Sequence, residues 1–140
     1  MMAYITDGRI VPNFSLKEMT NTVAKEDVKL VLTPEVVEHA RMMQRLRSWC
    51  GKPLEVSSWY RTPTFNRLVA GASNSAHLDG RATDINNIPQ ALYEAFTIAW
   101  QVICSQHNKI GGVEYYSWGT HFDSFSDKFG STTFRIKDNR

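Results

Sequence analysis

The sequence has few cysteines, no long apolar run and little net charge, and each of these absences narrows the classes of protein to consider. With only two cysteines, Cys50 and Cys104, the chain is not a disulfide-rich scaffold. No apolar run approaches the roughly 20 residues that a membrane-spanning helix needs. A net charge of only +2 does not favour nucleic-acid binding. We therefore expect no membrane span and no nucleic-acid partner.

The 140 residues are enough for one domain, and a domain of this size buries about two thirds of its unfolded surface. The first eight residues contain no basic segment followed by an apolar core, so no secretory signal is visible. We expect a single domain over residues 1–140, made in the cytoplasm. Residues 1–12 and 126–140 should be peripheral to it.

The segment from Ser75 to Asp84 contains a candidate pair of metal ligands. His77 and Asp84 lie seven residues apart, with Gly80 between them. A glycine allows a turn that a side chain would block. His77 can therefore precede a turn and Asp84 can lie on the strand after it, with both side chains facing one point. A histidine near an aspartate is more often a surface hydrogen bond, so the pair needs support from elsewhere in the chain.

That support comes from a second segment, Gly119 to Asp123, some forty residues later, which contains His121 and Asp123. Catalytic zinc usually takes three protein ligands from His, Asp and Glu and leaves the fourth position to water. A ligand from a distant segment closes the site and ties two parts of a fold together. There is no competing cysteine cluster. We therefore predict a Zn²⁺ ion held by His77, Asp84 and His121.

Capping and turn residues set the ends of the predicted helices and strands. Ser15 to Glu18 is a capping-box pattern that starts a short helix. Thr33 and Pro34 start a long helix that Gly51 ends. The remaining apolar patterns predict strands over residues 54–60 and 81–86, helices over 62–70 and 89–108, and a final strand within 129–140.

Residues 111–124 are typical of a β-hairpin. The loop is predicted to be Trp118–Gly119, or the four residues from Ser117 to Thr120. Either loop pairs Tyr116 with His121 and Glu114 with Asp123. Side chains alternate along a strand, so these four residues share one face. Two carboxylates and a tyrosine should therefore lie beside the third zinc ligand.

In this order, the segments resemble the zinc D-Ala-D-Ala peptidases, a family of peptidoglycan-cleaving enzymes that shares its fold with the Hedgehog signalling domain. The opening segment resembles a phage and bacterial branch of that family. The resemblance implies an α+β fold, with a small antiparallel sheet packed against helices. It covers about residues 12–125 and rests on Asn13–Thr20, Val56–Arg61, Phe65–Asn66, Gly71–Asp84 and His121–Asp123.

The resemblance also implies roles for residues around the metal. Arg61 matches an arginine that contacts the scissile peptide or the substrate carboxylate, and Ser75 matches a serine that helps to position substrate. Several relatives carry an acid three residues before the last histidine, but here that position is Trp118, which cannot carry protons. Asp123 and Glu114 are the available proton carriers, and Asp123 is the alternative that we favour slightly.

Together these features predict a zinc-dependent metallopeptidase that hydrolyses a peptide bond in the stem peptide or cross-link of bacterial peptidoglycan, as a carboxypeptidase or an endopeptidase. We expect a monomeric phage endolysin, delivered to the cell wall by the phage lysis machinery or in the virion. The missing acid at position 118 keeps an alternative open. In that alternative the chain is a zinc-stabilised phage structural or wall-binding module without catalysis.

Overall fold

The computed structural model describes residues 9–20, 32–69, 71, 75–125 and 133–140, and within them it contains seven strands and four α-helices. The strands are β1 (Arg9–Val11), β2 (Phe14–Ser15), β3 (Val56–Ser58), β4 (Ala82–Ile85), β5 (Gly112–Tyr116), β6 (Gly119–Asp123) and β7 (Arg135–Asp138). The helices are α1 (Leu16–Met19), α2 (Pro34–Cys50), α3 (Pro63–Leu68) and α4 (Tyr93–Gln106). Two 3₁₀ helices cover Ala76–Asp79 and Gln90–Leu92.

Five of the strands form the main sheet, in the order β3-β4-β6-β5-β7. Every neighbouring pair is antiparallel except β5 and β7, which are parallel. β1 and β2 form a separate two-stranded sheet. The predicted α+β class and the packing of the sheet against helices are confirmed, and β7 makes the main sheet mixed. Part of the predicted periphery, residues 1–8 and 126–132, lies outside the described residues.

Helix α2 begins and ends where its capping residues predict. The Thr33 hydroxyl accepts a hydrogen bond from the backbone N–H of Val36, and Pro34 occupies the first turn. Gly51 ends the helix in the left-handed conformation, with φ 68°. The buried face of α2 contributes to the main core, which it shares with α4 and the sheet. That face consists of Val36, His39, Ala40, Met42, Met43 and Leu46.

Some predicted element boundaries were wrong. The strand expected over 54–60 is reduced to β3, because its pairing with β4 shifts between Val56 and Ser58 and Trp59 then turns into the core. The Trp59 indole is fully buried and donates a hydrogen bond to the carbonyl oxygen of Gly80 at 2.9 Å. The helix expected over 89–108 begins with a 3₁₀ turn before α4.

The predicted hairpin is confirmed, but its predicted register was wrong. The turn consists of Ser117 and Trp118, so Glu114 pairs with His121 and Tyr116 pairs with Gly119. A Cβ atom at Gly119 would lie 2.4 Å from the carbonyl oxygen of Ile85. Glycine therefore lets β6 begin at this position, close against β4. The shift is an even number of residues, so the predicted face is preserved.

The structure also bears on the lack of a long apolar run and on the two cysteines. None of the described helices is both long and apolar enough to cross a membrane. Both cysteines are free thiols: Cys104 is buried in the core beside Asp123, and Cys50 is half-buried at the end of α2. Burial raises the pKa of the Cys104 thiol, so this group stays protonated and packs as a small apolar side chain.

Candidate metal centre

His77 lies on the 3₁₀ helix Ala76–Asp79, which is fixed at both ends. The Ser75 hydroxyl accepts a hydrogen bond from the backbone N–H of His77 at 3.2 Å. Gly80 ends the turn in the left-handed conformation, with φ 69°. The imidazole Nδ1 donates to the backbone carbonyl oxygen of Trp59 at 2.6 Å. These contacts leave only Nε2 to face the site.

The three predicted ligands come together at one carboxylate oxygen. Asp84 lies on β4, and His121 lies directly opposite it on β6. His77 Nε2 is 3.1 Å and His121 Nδ1 is 2.9 Å from Asp84 Oδ1. All three residues are more than nine-tenths buried. The metal-binding atoms of the three residues lie within 4.8 Å of one another.

The chemistry of this donor set fits a metal cation. His77 Nδ1 must carry a proton because its partner is a carbonyl oxygen. Burial lowers the pKa of His77, although Asp84 opposes the shift; this direction favours the neutral ring, whose Nε2 presents a lone pair to the Asp84 carboxylate. Two acceptors that face each other repel unless a cation lies between them. Ligands about 2.0–2.1 Å from zinc in a tetrahedron lie about 3.3 Å apart, which is close to the separations found here.

The carboxylates around His121 set the electrostatics of the site. Burial alone would raise the pKa of Asp84, but the two histidines beside its carboxylate, His77 and then His121, outweigh burial and lower that pKa. Burial also opposes the charged form of His121, but hydrogen bonds with Asp123 and Asp84 raise its pKa to about 10. Two carboxylates therefore flank His121, and a cation can take the place of the His121 proton that faces Asp84.

Asp123 contacts the other nitrogen of His121. Its Oδ2 accepts a hydrogen bond from His121 Nε2 at 3.1 Å, and its Oδ1 accepts one from Arg135 on β7. The carboxylate is almost fully buried, with 1% of the residue exposed. A histidine that donates from Nε2 keeps the lone pair of Nδ1 for a metal. Asp123 thus orients His121 towards Asp84.

Glu114 lies on the same face but is more accessible. Its Oε2 is 3.7 Å from His121 Nε2, and its Oε1 accepts hydrogen bonds from the Tyr116 hydroxyl and the Asn139 amide, both at 3.3 Å. Burial raises the pKa of Tyr116 to about 12, and Glu114 adds to this shift. The Tyr116 hydroxyl therefore stays protonated. The Trp118 ring stacks on Tyr116 with 4.8 Å between ring centroids.

A second group of candidate ligands is formed by Glu114, His121 and Asp123. It would use His121 Nε2, which already donates to Asp123, and the guanidinium of Arg135 lies beside it. A cation there would have to displace the hydrogen bond by which Asp123 orients His121. The group formed by His77, Asp84 and His121 is therefore the better metal site.

Arg61 is held at the edge of the site by three contacts. Its Nε donates to the Ser58 hydroxyl at 3.2 Å, and its Nη1 lies 3.4 Å from the amide oxygen of Asn66. Its Nη2 lies 3.3 Å from Asp84 Oδ2. A Cβ atom at Gly71 would lie 2.1 Å from that amide oxygen and 3.0 Å from Arg61 Nη1. Glycine at position 71 therefore leaves the space in which this arrangement forms.

Apart from Arg135 and Asn139, the residues of this site lie within a segment that a family model recognises. The model for peptidase M15 matches residues 12–123, which is most of the chain. The chain belongs to the peptidase M15 family. Peptidase M15 is a family of metallopeptidases, which are hydrolases, and the M15 family acts in general on peptides of peptidoglycan. No curated protein sequence matches the chain.

A pocket of about 870 Å³ opens above the ligands of this M15 domain. Its walls include Arg61, Ser75, Glu114, Tyr116, Trp118 and Arg135. The pocket therefore brings together every site residue that the sequence predicts, including both candidate proton carriers. The polar residues of the pocket lie around His77 and His121. Trp118 is about half exposed and lies at the turn of the hairpin.

One residue of the site was missed from the sequence. Arg135 lies on β7, beyond the segment that resembles the family and beyond the M15 match. No motif surrounds it, and the final strand was predicted only as an addition to the sheet. The parallel pairing of β7 with β5 could not be read from local patterns, because parallel strands are joined by long crossover connections.

Proposed function

We propose that this protein is a zinc-dependent peptidoglycan peptidase whose metal ligands are His77, Asp84 and His121. The observation that carries the proposal is the convergence of two imidazole nitrogens on Asp84 Oδ1, at 3.1 and 2.9 Å. His77 Nδ1 is held by the carbonyl oxygen of Trp59, so Nε2 is free to bind a cation together with Asp84 and His121. Family membership supplies the substrate class.

The pocket residues would hold the substrate against this centre. Zinc bound there would polarise a carbonyl group and acidify a water molecule. Arg61 is charged at every accessible pH and faces the pocket, so its guanidinium can donate hydrogen bonds to the oxygen of the scissile peptide as negative charge develops. Ser75 already caps the turn that carries His77. Its position in the pocket wall is also consistent with the substrate contact that the resemblance implies.

Glu114 is the proton carrier that the geometry favours. The two Asp123 oxygens contact His121 and Arg135, and the residue is 1% exposed. Glu114 is partly exposed to the pocket, and its hydrogen-bond partners Tyr116 and Asn139 hold it in place. A general base must reach both the attacking water and the leaving amine. Asp123 then acts by orienting His121.

The scissile bond is a peptide bond of the stem peptide or the cross-link, cut by carboxypeptidase or endopeptidase action. The D-Ala-D-Ala, L-Ala-D-Glu and cross-bridge bonds are the candidates. We further propose a phage lysin that reaches the wall through a membrane lesion or in the virion, as the resemblance of residues 13–20 to a phage and bacterial branch suggests. Expression in host cells with and without a lesion-forming partner tests this role, because only the former should cause lysis.

The decisive experiment measures release of new amino groups from purified peptidoglycan. The protein is assayed as purified, after treatment with a chelator, and after zinc is restored, with His121→Ala as the inactive control. We expect activity that is lost with zinc and recovered with it, and mass spectrometry of the fragments identifies the bond. Stoichiometric zinc without release from several wall types would instead establish a zinc-stabilised binding module, the alternative that Trp118 keeps open.

A further inference from the structure

The Arg135 side chain extends from β7, at the edge of the sheet, across Gly112 of β5 to the candidate metal centre. On β7, Arg135 pairs with Gly112 of β5, which in turn pairs with Asp123 of β6. A Cβ atom at Gly112 would lie 3.0 Å from both Cζ and Nη1 of Arg135. The missing side chain thus leaves a path over β5, along which the guanidinium contacts Asp123 Oδ1.

The contact with Arg135 determines how the Asp123 carboxylate is turned. One oxygen accepts from Arg135 and the other accepts from His121 Nε2 at 3.1 Å. The Asp123 side chain is 1% exposed, whereas the Arg135 side chain is 24% exposed. Water therefore has little access to the carboxylate, and Arg135 is the cation that compensates its charge on the side away from His121. Loss of such a partner leaves a buried carboxylate without a compensating charge, which lowers the stability of the fold. The carboxylate can then also change its orientation.

We infer that Arg135 is a positioning residue for the metal site, acting through Asp123 on His121. With Asp123 Oδ2 fixed on Nε2–H, the imidazole keeps its Nδ1 lone pair directed at Asp84. The inference rests on the proposed function, because it assigns Arg135 to the zinc site. It also goes beyond the family match, which ends at residue 123. The last strand thereby contributes to a site whose candidate metal ligands all lie on earlier segments.

The test is the zinc dissociation constant, measured by competition with a chromophoric chelator, together with the visible spectrum of the Co²⁺-substituted protein. Arg135→Met should weaken zinc binding by about 10- to 100-fold, which is typical for loss of a group that orients a ligand. Its Co²⁺ bands should shift, because the His121 ring is no longer fixed. Arg41→Met, on the exposed face of α2 and outside the pocket wall, is the matched control, and it should bind zinc within twofold of wild type.

Two further variants separate positioning from general stability. Arg135→Lys keeps the charge but not the planar fork, so it should restore part of the affinity that Arg135→Met loses. Gly112→Ala keeps the arginine but displaces its guanidinium, and it should weaken zinc binding in the same direction. If Arg135→Met does not fold, Arg135→Lys decides the matter: at least fivefold weaker zinc binding supports the inference.

The inference fails if a folded Arg135 variant binds zinc within twofold of wild type with an unchanged Co²⁺ spectrum. Failure of the proposed function gives a different result, since wild-type protein would then bind no zinc. The two failures are therefore distinguishable in one set of titrations.

Discussion

Arg61 and Asp84 meet through the carboxylate oxygen that neither histidine contacts. Arg61 Nη2 lies 3.3 Å from Asp84 Oδ2, whereas both imidazole nitrogens face Oδ1. One oxygen of Asp84 is thus assigned to the metal position and the other to the arginine. This division fixes the guanidinium next to the centre, where it would link the proposed substrate contact to the ligand set.

Replacement of Arg61 should impair catalysis more than metal binding. Arg61→Met removes the donors to the developing oxyanion, so kcat at saturating zinc should fall by about 100- to 1,000-fold. Arg61→Lys should be intermediate, because it keeps the charge and loses the fork. Arg67→Met, on the exposed side of α3, is the control and should retain wild-type kcat. An Arg61→Met enzyme within a few-fold of wild type would remove Arg61 from the mechanism.

The two carboxylates beside His121 should be separable by their effects. Glu114→Gln removes a proton carrier, so kcat should fall by about 100- to 10,000-fold, while zinc affinity stays near that of wild type. Asp123→Asn removes the acceptor that orients His121, so zinc affinity should fall by about 10- to 100-fold. Zinc titration and kcat at saturating metal check both. The opposite pattern, with kcat lost only in Asp123→Asn, would make Asp123 the proton carrier.

Gly119 should be far less replaceable than Gly51. In Gly119→Ala the new methyl group meets the backbone of Ile85 at 2.4 Å, so β6 must move away from β4. We expect a loss of about 1–3 kcal/mol in the free energy of unfolding and weaker zinc binding. Gly51→Ala meets no atom within 4 Å and should cost only the left-handed strain, about 1–2 kcal/mol. Urea unfolding and zinc titration compare the two, and equal zinc affinity in both variants would count against this account.

His39 should make the fold sensitive to acid. It is fully buried between α2 and the sheet, hydrogen-bonded to Ser124 at 2.6 Å and Thr83 at 3.0 Å. Burial lowers the pKa of His39 to about 3 from 6.5, although the charge of Asp123 opposes the shift and Arg81 adds to it. His39 therefore binds a proton below about pH 6.5 in the unfolded chain, but only below about pH 3 in the folded chain. The stabilisation is complete above pH 6.5 and is lost as pH falls towards 3.

The slope of this loss is up to about 1.4 kcal/mol per pH unit. His39→Gln, which keeps hydrogen-bonding groups but does not titrate, should lack that component of the acid dependence. Urea unfolding at several pH values between 7 and 4 measures the difference between the two proteins. Parallel pH profiles would show that His39 does not contribute. The difference is the informative quantity, because Asp84 and Asp123 also bind protons in acid.

The sequence predicted the elements of this fold whose signals are local. Thr33 and Gly51 mark the ends of α2 through capping contacts between neighbouring residues, and Gly80 marks the turn between His77 and Asp84. The three candidate ligands could be named because each lies in a short motif. These motifs alone do not predict that the ligands converge on one oxygen of Asp84, because that convergence depends on the pairing of β4 with β6.

What the sequence could not predict depends on contacts between distant segments. The register of β5 and β6 depends on Gly119 fitting against Ile85 of a third strand, and nothing within the hairpin indicates that contact. Arg135 depends on a parallel pairing and on the space above Gly112. His39 looks like an ordinary helix residue, and its buried hydrogen bonds appear only when α2 packs on the sheet.

The oxygen that His77 and His121 share has a consequence for the lifetime of the folded chain. His121 is 37 residues from Asp84 along the sequence, so an ion at this point closes a long loop that contains α4 and β5. A covalent cross-link of that length would lower the entropy of the unfolded chain by an amount worth about 4 kcal/mol. Because both cysteines are free, the ion would be the only cross-link among the described residues. Zinc starvation would then expose the chain to proteases as well as stop its chemistry.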